Sequence, residues 1–207
     1  MLATKNSPQV AVCLPVIAST SAKAGGVVLI LKPTIQPAFF VMPRKVFYSF
    51  HYVPDNWRAS QVRNMGSIEG STVASDNDWE TVKRGGDAAV QRWIDAQISG
   101  RSCGVVLIGS ATAGRKWINY EIEKCWNDGK GLLGIHIHNL KDRDGRQSSK
   151  GANPFATFTL KNGTVPLSSV VKAYDPPHFM STDVYSHIQA NLEQWIESAI
   201  QTRANYT

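Results

Sequence analysis

Residues 103–108, which read Cys-Gly-Val-Val-Leu-Ile, decide the fold class that this sequence predicts. The run is apolar throughout, and such runs are typical of a parallel strand that is buried on both faces. Residues 46–50 (Val-Phe-Tyr-Ser-Phe) and residues 131–137, which include Leu-Leu-Gly-Ile, predict two more buried strands. Residues 170–174 are the expected position of a late strand.

Helices are predicted between these strands, where apolar residues recur at helical spacing. Their expected ranges are 57–65 with Asn56 as N-cap, 87–98, 115–128, and 181–203 with Ser181 or Thr182 as N-cap. Strands that alternate with helices favour an α/β fold with an open, mainly parallel sheet and helices on both faces. Ligands of such folds bind outside the carboxyl ends of the strands, so we expect the site in loops 50–56, 109–116 and 138–155.

The composition excludes several classes of protein. The chain has 207 residues, of which 43% are hydrophobic and 18% charged, so it can bury a core. Its net charge of +6 suits an anionic small ligand such as a dinucleotide. Nucleic-acid binding is not expected because no basic stripe is interleaved with aromatic residues, and no apolar run reaches the roughly 18 residues of a membrane span. Three cysteines without metal-binding spacing are typical of a reduced, cytoplasmic protein.

Residues 1–41 differ from the rest and are predicted to be an N-terminal extension of a domain over residues 42–207. The extension has three lysines, no other charged residue and four prolines. It has three interpretations: a secretory signal, a functional segment that packs on the domain, or sequence upstream of a start at Met42. We favour a start at Met42 because regular structure is predicted immediately after it. The extension would then be disordered or untranslated.

Residues 109–116, Gly-Ser-Ala-Thr-Ala-Gly-Arg-Lys, nearly match the phosphate-binding P-loop. Arg115 stands at the position of the P-loop lysine, and Lys116 stands at the position of the hydroxyl that binds magnesium. An NTPase is therefore not expected. Backbone N–H groups at the start of the helix could still bind a phosphate.

No metal site is predicted. His136 and His138 are expected on the same side of a strand, but no third ligand is near them in the sequence. Asp76, Asp78 and Glu80 lack the glycine and the distal glutamate of a calcium-binding loop.

Glu121 is the carboxylate of greatest chemical interest. At 100° per residue it lies about 60° from Ile118, on the flank of the apolar face of its helix. Trp117 lies one turn earlier, with its ring beside the carboxylate. The alternative interpretation is a half-exposed glutamate that is paired with Lys124 or Arg115.

Six blocks of residues resemble the TIR-like domain of the Thoeris anti-phage defence system, in the same order and with fitting spacing. They are residues 45–52, 62–64, 106–112, 115–122, 134–137 and 149–155. Residues 1–41 have no counterpart in that family. The resemblance implies a flavodoxin-like fold of the TIR type.

The resemblance also implies an activity. Enzymatic TIR domains cleave NAD at the nicotinamide–ribose bond with a glutamate in a Trp-x-x-x-Glu helix, which here would be Trp117 and Glu121. Thoeris TIR proteins make a cyclic ADP-ribose isomer on sensing phage, and this product activates a separate effector protein. NAD is then a substrate, and no cofactor is expected.

The physical chemistry agrees, because breaking the ribosyl C–N bond builds positive charge that a carboxylate can stabilise. Besides Glu121, the expected substrate-binding residues are Phe50, His51, Tyr52, Ser110 and Trp117. One arginine among Arg44, Arg58 and Arg115 would bind the pyrophosphate. A homo-oligomer is expected by analogy with TIR enzymes. The alternatives are a non-catalytic TIR interaction module and a module that senses a nucleotide without cleaving it.

Overall fold

The structure is a computed structural model that describes residues 44–65, 69–70, 82, 84–160 and 163–206. All of these belong to the unit Val41–Thr207. The predicted extension, residues 1–41, lies outside the described residues, so the boundary at Met42 stays a prediction. Asp76, Asp78 and Glu80 also lie outside them.

Seven strands and four regular α-helices are numbered here in chain order within the described residues. The strands are β1 (Lys45–Phe50), β2 (Glu69–Gly70), β3 (Cys103–Ile108), β4 (Gly131–His136), β5 (Thr159–Leu160), β6 (Val165–Pro166) and β7 (Ala173–Tyr174). The helices are α1 (Tyr52–Arg63), α2 (Gly86–Ile98), α3 (Lys116–Asn127) and α4 (Ser181–Ala204). Short 3-10 helices cover Pro154–Thr157 and Leu167–Ser169.

The main sheet has five strands in the order β2-β1-β3-β4-β7, and every pairing in it is parallel. This is the flavodoxin-like order, in which the chain reverses direction across the sheet between β1 and β3. Strands β5 and β6 form a separate antiparallel pair. The predicted α/β fold with a mainly parallel sheet is confirmed.

Two hydrophobic clusters cover the two faces of the sheet. Val46 and Tyr48 of β1 belong to the cluster that α1 and α4 complete. Phe47, the intervening residue, belongs to the cluster that α2 and α3 complete. Because side chains alternate between the faces of a strand, Ser49 shares the face of Phe47 and points toward α3.

The first helix begins five residues earlier than predicted. Residues 52–56 were expected in a loop, with Asn56 as N-cap, but α1 starts at Tyr52 and its N-cap is His51. Pro54 is compatible with this start because the first turn of a helix leaves its N–H groups without an intrahelical partner. The early start brings Asp55 into the helix, directly beside the end of β1.

Two further predictions were wrong in detail. The N-cap of α4 is Met180, without a side-chain cap, and the hydroxyl of Ser181 instead accepts a hydrogen bond from the N–H of Lys141 at 3.0 Å. Strand β2 was expected to be part of a loop, but Glu69 and Gly70 pair with Lys45 and Val46.

Of the helices in the described ranges, none combines the length and the apolar character needed to cross a bilayer.

Candidate functional site

Ser49 and Glu121 meet at the carboxyl end of β1. The Ser49 hydroxyl donates a hydrogen bond to Oε2 of Glu121 at 2.5 Å, although the two residues are 72 positions apart. Strand β1 supplies Ser49 and α3 supplies Glu121, so the contact joins the sheet to the helix that covers it. Among the described residues Ser49 is the only hydrogen-bond partner of this carboxylate, and it binds Oε2.

The Glu121 carboxyl group lies in a poorly hydrated position. The residue as a whole keeps part of its surface accessible, but protein atoms crowd the carboxyl group. Burial raises the pKa of Glu121 to about 7, while the hydrogen bond from Ser49 acts in the opposite direction and lowers the pKa. An acid with this pKa changes its charge near neutral pH, which is typical of catalytic carboxyl groups.

The charged residues that the alternative interpretation pairs with Glu121 have other partners. Lys124 forms an ion pair with Asp128 at 2.8 Å, and the Nε of Arg115 donates to the carbonyl of Ala111 at 2.9 Å. Lys116 pairs with Asp87 on α2. The structure therefore does not support a Glu121 neutralised in a surface ion pair.

Trp117 lies one helical turn before Glu121 and is partly exposed. Its ring meets that of Tyr120 edge-on at 6.2 Å between centroids, and the Lys116 ammonium lies 4.8 Å from the Trp117 ring centroid. The indole, one helical turn before Glu121, thus has one aromatic and one cationic neighbour, and it keeps surface for a ligand.

The three predicted residues at the end of β1 do not all lie on the face of Glu121. Phe50 packs against the cluster of α1 and α4, on the opposite face of the sheet from Ser49. Its ring stacks with that of Tyr52 at 6.2 Å between centroids. His51 occupies the N-cap position of α1, and its buried Nδ1 has no hydrogen-bond partner among the described residues. Burial and the nearby charge of Arg115 lower the pKa of His51, which favours the neutral ring. The structure brings His51 and Arg115 together, but it does not place Phe50 on the Glu121 face.

Ser110 is exposed in the loop after β3. Three segments of the chain meet at the residue before it, Gly109. A Cβ added to Gly109 would lie 2.0 Å from Oδ2 of Asp55, and one added to Gly151 would lie 1.9 Å from the carbonyl oxygen of Gly109. Helix α1, the loop after β3 and the loop after β4 therefore approach more closely than any side chain at these two positions would allow.

Arg58 and Arg44 are occupied elsewhere and do not fit the expected pyrophosphate contact. Arg58 is 3% exposed and donates to Asp142 and Asp55 and to the carbonyls of Leu140, Arg146 and Pro54. Arg44 pairs with Glu197 at the amino end of β1, the edge away from the site. Arg115 is exposed, begins α3 as its N-cap, and acts electrostatically on both His51 and Asp55. It is the candidate arginine that remains.

The segment with this geometry matches a known family. Residues 47–142 match the family described as "Thoeris protein ThsB, TIR-like domain". Slightly less than half of the chain is therefore similar to a Thoeris TIR-like domain. It is also 39% identical over 119 residues to a protein of Bacillus cereus (strain MSX-D12) named "Putative cyclic ADP-D-ribose synthase ThsB1", a match that covers 55% of this chain and 62% of the relative. The chain thus spans less than two thirds of the length of this curated relative. The resemblance inferred from sequence motifs is confirmed.

Sequence reasoning missed two residues of the candidate site. Ser49 is 3% exposed in a strand whose neighbouring side chains are apolar, and a polar residue at such a position requires a partner. That pattern could have identified it. Asp55 is fully buried, and burial raises its pKa although Arg58 lowers it. Its role could not be seen because the helix that carries it was predicted to begin later.

The two histidines at the end of β4 form a separate polar cluster. The rings of His136 and His138 lie 6.0 Å apart, and burial lowers the pKa of both. Asp175 lies 4.0 Å from Nδ1 of His138 and pairs with Lys150 at 2.7 Å. Within the part of the chain that the structure describes, no three acidic, histidine or cysteine residues are arranged to hold a metal ion.

Proposed function

We propose that this TIR-like domain cleaves NAD at the nicotinamide–ribose bond, with Glu121 as the catalytic residue, and makes a cyclic ADP-ribose-type signal in anti-phage defence. The observation that carries the proposal is the Glu121 carboxylate, which lies at the carboxyl edge of the sheet with one oxygen held by Ser49, its only hydrogen-bond partner among the described residues. The family match and the name of the Bacillus cereus relative support a role in Thoeris signalling.

The reaction requires charge stabilisation more than acid catalysis. When the bond between ribose C1′ and the nicotinamide nitrogen breaks, both electrons leave with the nicotinamide and C1′ becomes oxocarbenium-like. Neutral nicotinamide needs no proton to depart. A carboxylate beside the ribose stabilises the positive charge or orients a ribose hydroxyl, which explains how one glutamate can suffice.

The remaining groups would bind and orient the dinucleotide. Trp117 offers an aromatic surface one turn from Glu121, and His51 and Tyr52 lie at the start of α1. The exposed guanidinium of Arg115 would bind the pyrophosphate, with Ser110 nearby on the loop after β3. Phe50 packs toward the other face of the sheet, so we assign it a supporting role at the strand end.

The fate of the ribosyl cation decides the product. Attack by water gives linear ADP-ribose, whereas attack by the adenosine part of the same molecule gives a cyclic product. Cyclisation requires water to be excluded while the adenosine folds back. In the proposed pathway the protein acts in the cytoplasm after a phage-derived trigger, and its product reaches a separate effector protein. A homo-oligomer remains part of the proposal.

A matched pair of variants on one helix tests the proposal. Glu121→Gln removes the negative charge, and Glu123→Gln makes the same change two residues away at an exposed position. Each protein is expressed in cells that are then infected with phage, and nicotinamide and ADP-ribose products are measured by chromatography. Wild type and Glu123→Gln should form product, and Glu121→Gln should form none while keeping its circular dichroism spectrum. Equal product from folded Glu121→Gln contradicts the proposal.

A second candidate function is a non-catalytic interaction module, which one observation favours. Val53 and Trp57 on α1, and Phe179 and Met180 before α4, are large hydrophobic residues exposed to solvent. Exposed apolar groups of this kind are typical of protein-binding surfaces. This function would require that infected cells with the wild-type protein cleave no more NAD than cells with Glu121→Gln. It would also require a protein partner that binds the wild type and no longer binds Trp57→Ser.

A further inference from the structure

We infer that Ser49 is a positioning residue for the proposed reaction, because its hydroxyl holds one carboxylate oxygen of Glu121 and leaves the other to face the ribose. The inference rests on the proposed function of Glu121. Ser49 lies on β1, outside the Trp-x-x-x-Glu helix. In this inference it controls the orientation of the Glu121 carboxylate on α3.

The strand holds the Ser49 hydroxyl in a rigid position. Strand β1 is paired on one side with β2 and on the other with β3, where Ser49 lies opposite Val106. Ser49 is 3% exposed, so a substrate has little access to its hydroxyl. The effect of Ser49 on the reaction would therefore pass through the 2.5 Å hydrogen bond to Oε2 of Glu121.

The hydrogen bond has two consequences for Glu121. A glutamate side chain has three rotatable bonds, and a donor from a fixed strand selects among its conformations. The same donor favours the ionised carboxylate and opposes the effect of burial on its pKa. Cys125 is an ionisable neighbour coupled to Glu121, but its thiol has a pKa raised to about 12 and stays protonated near neutral pH.

The test compares four variants over a range of pH. Ser49→Ala removes the hydroxyl, Ser49→Thr keeps it, and Ser49→Cys is nearly isosteric with a weaker donor. Ser102→Ala is the matched control, since Ser102 bonds the Lys45 carbonyl at the opposite edge of the sheet. The titration of the Glu121 carboxyl carbon is followed by 13C NMR and assigned with Glu121→Gln. Product formation is measured at the same pH values in infected-cell extract.

The expected result is a higher titration midpoint for Glu121 in Ser49→Ala, by about one pH unit. The pH profile of product formation should move by the same amount, so that activity falls about tenfold at pH 6.5 and recovers at pH 9. Ser49→Thr should restore both midpoints. Ser49→Cys should give intermediate values of both midpoints. If Ser49→Ala does not fold, Ser49→Cys takes its place in the comparison.

Two outcomes separate this inference from the proposed function. Unchanged NMR and activity midpoints in a folded Ser49→Ala or Ser49→Cys protein, with the wild type active, would overturn only the role of Ser49. Product formation by folded Glu121→Gln would overturn the proposed function itself. The NMR titration needs no turnover, so it measures the coupling of the two residues independently of activity.

Discussion

The carboxylate of Asp55 lies against the backbone of Gly109, so closely that a Cβ at residue 109 would be 2.0 Å from Oδ2. Gly109 in turn lies under Gly151, whose own Cβ would be 1.9 Å from the Gly109 carbonyl oxygen. This stack joins α1 to the loops that follow β3 and β4. The carboxyl edge of the sheet, where ligands of this fold class bind, therefore has a rigid base made of backbone and one buried acid.

Gly109→Ala should destabilise the protein because neither Asp55 nor the loop can move away without breaking other contacts. We expect a loss of about 1–3 kcal/mol in the free energy of unfolding, the usual range for overpacking a tight site. Urea denaturation followed by circular dichroism measures it. An unchanged unfolding midpoint would mean that the three segments are less tightly joined than the structure shows.

Arg58→Ala should cost more, because it leaves buried groups without partners. The guanidinium is the ion-pair partner of the buried Asp55 and bonds the carbonyls of Leu140 and Arg146. Removing one member of a buried ion pair typically costs about 3–5 kcal/mol. Thermal unfolding measures the loss, and hydrogen exchange should show faster exchange in residues 138–147. The exposed Arg143→Ala is the control, and a loss equal to that of the control would refute this role.

The apolar patterns of the sequence predicted much of the fold. Residues 103–108 are buried throughout, and their continuous apolar character predicted the central strand. The spacing of Ile118, Ile122 and Cys125 predicted the buried face of α3. These features depend on local periodicity, which a single sequence displays directly.

The rest depended on contacts between residues far apart in the chain. The Ser49–Glu121 bond spans 72 positions, and the Arg58–Asp142 bond spans 84. No local pattern indicates such pairs. Arg58 was therefore expected as one candidate to bind the pyrophosphate, whereas in the structure its N–H groups donate to other residues of the protein. Proline is compatible both with a turn and with the first turn of a helix. Pro54 was therefore assigned to a loop, although it lies in the first turn of α1.

Glu121→Gln should stabilise the fold at alkaline pH. A carboxyl group with a pKa of about 7 in the folded protein and 4.5 in a model compound binds more protons when folded. Its contribution to stability is therefore fully present below pH 4.5 and is lost as the pH rises through 7. The glutamine variant, which never ionises, should be more stable than wild type by about 1–3 kcal/mol at pH 8.

At pH 4.5 the two proteins should differ much less, because Glu121 is then protonated in the folded state. Urea denaturation at both pH values measures the change, with Glu123→Gln as the control that should show no such dependence. Equal stabilities of wild type and Glu121→Gln at pH 8 would show that the Glu121 carboxyl group is well hydrated.

Arg115→Ala should weaken substrate binding more than it slows the chemical step. The exposed guanidinium is the arginine near the site that is not committed to a carboxylate in the described structure. Loss of a charge-assisted contact to the pyrophosphate should raise KM for NAD about tenfold with a smaller change in kcat. Steady-state kinetics measure both constants, and Arg92→Ala, an exposed change on α2, is the control. A pure kcat effect would place Arg115 at the reacting bond instead.

Product formation should rise with pH to a plateau. The proposed mechanism needs Glu121 as a carboxylate, and burial raises its pKa to about 7. Around that pH the ionised fraction begins to fall, so kcat/KM for NAD should fall about fivefold between pH 7 and pH 6, approach a tenfold fall for each unit below pH 6, and change little above pH 8. Burial lowers the pKa of His51, which favours its neutral form. A profile measured from pH 5 to 9 that falls as the pH rises would make protonated Glu121 the active form, and the carboxylate could then no longer be the group that stabilises the ribosyl cation.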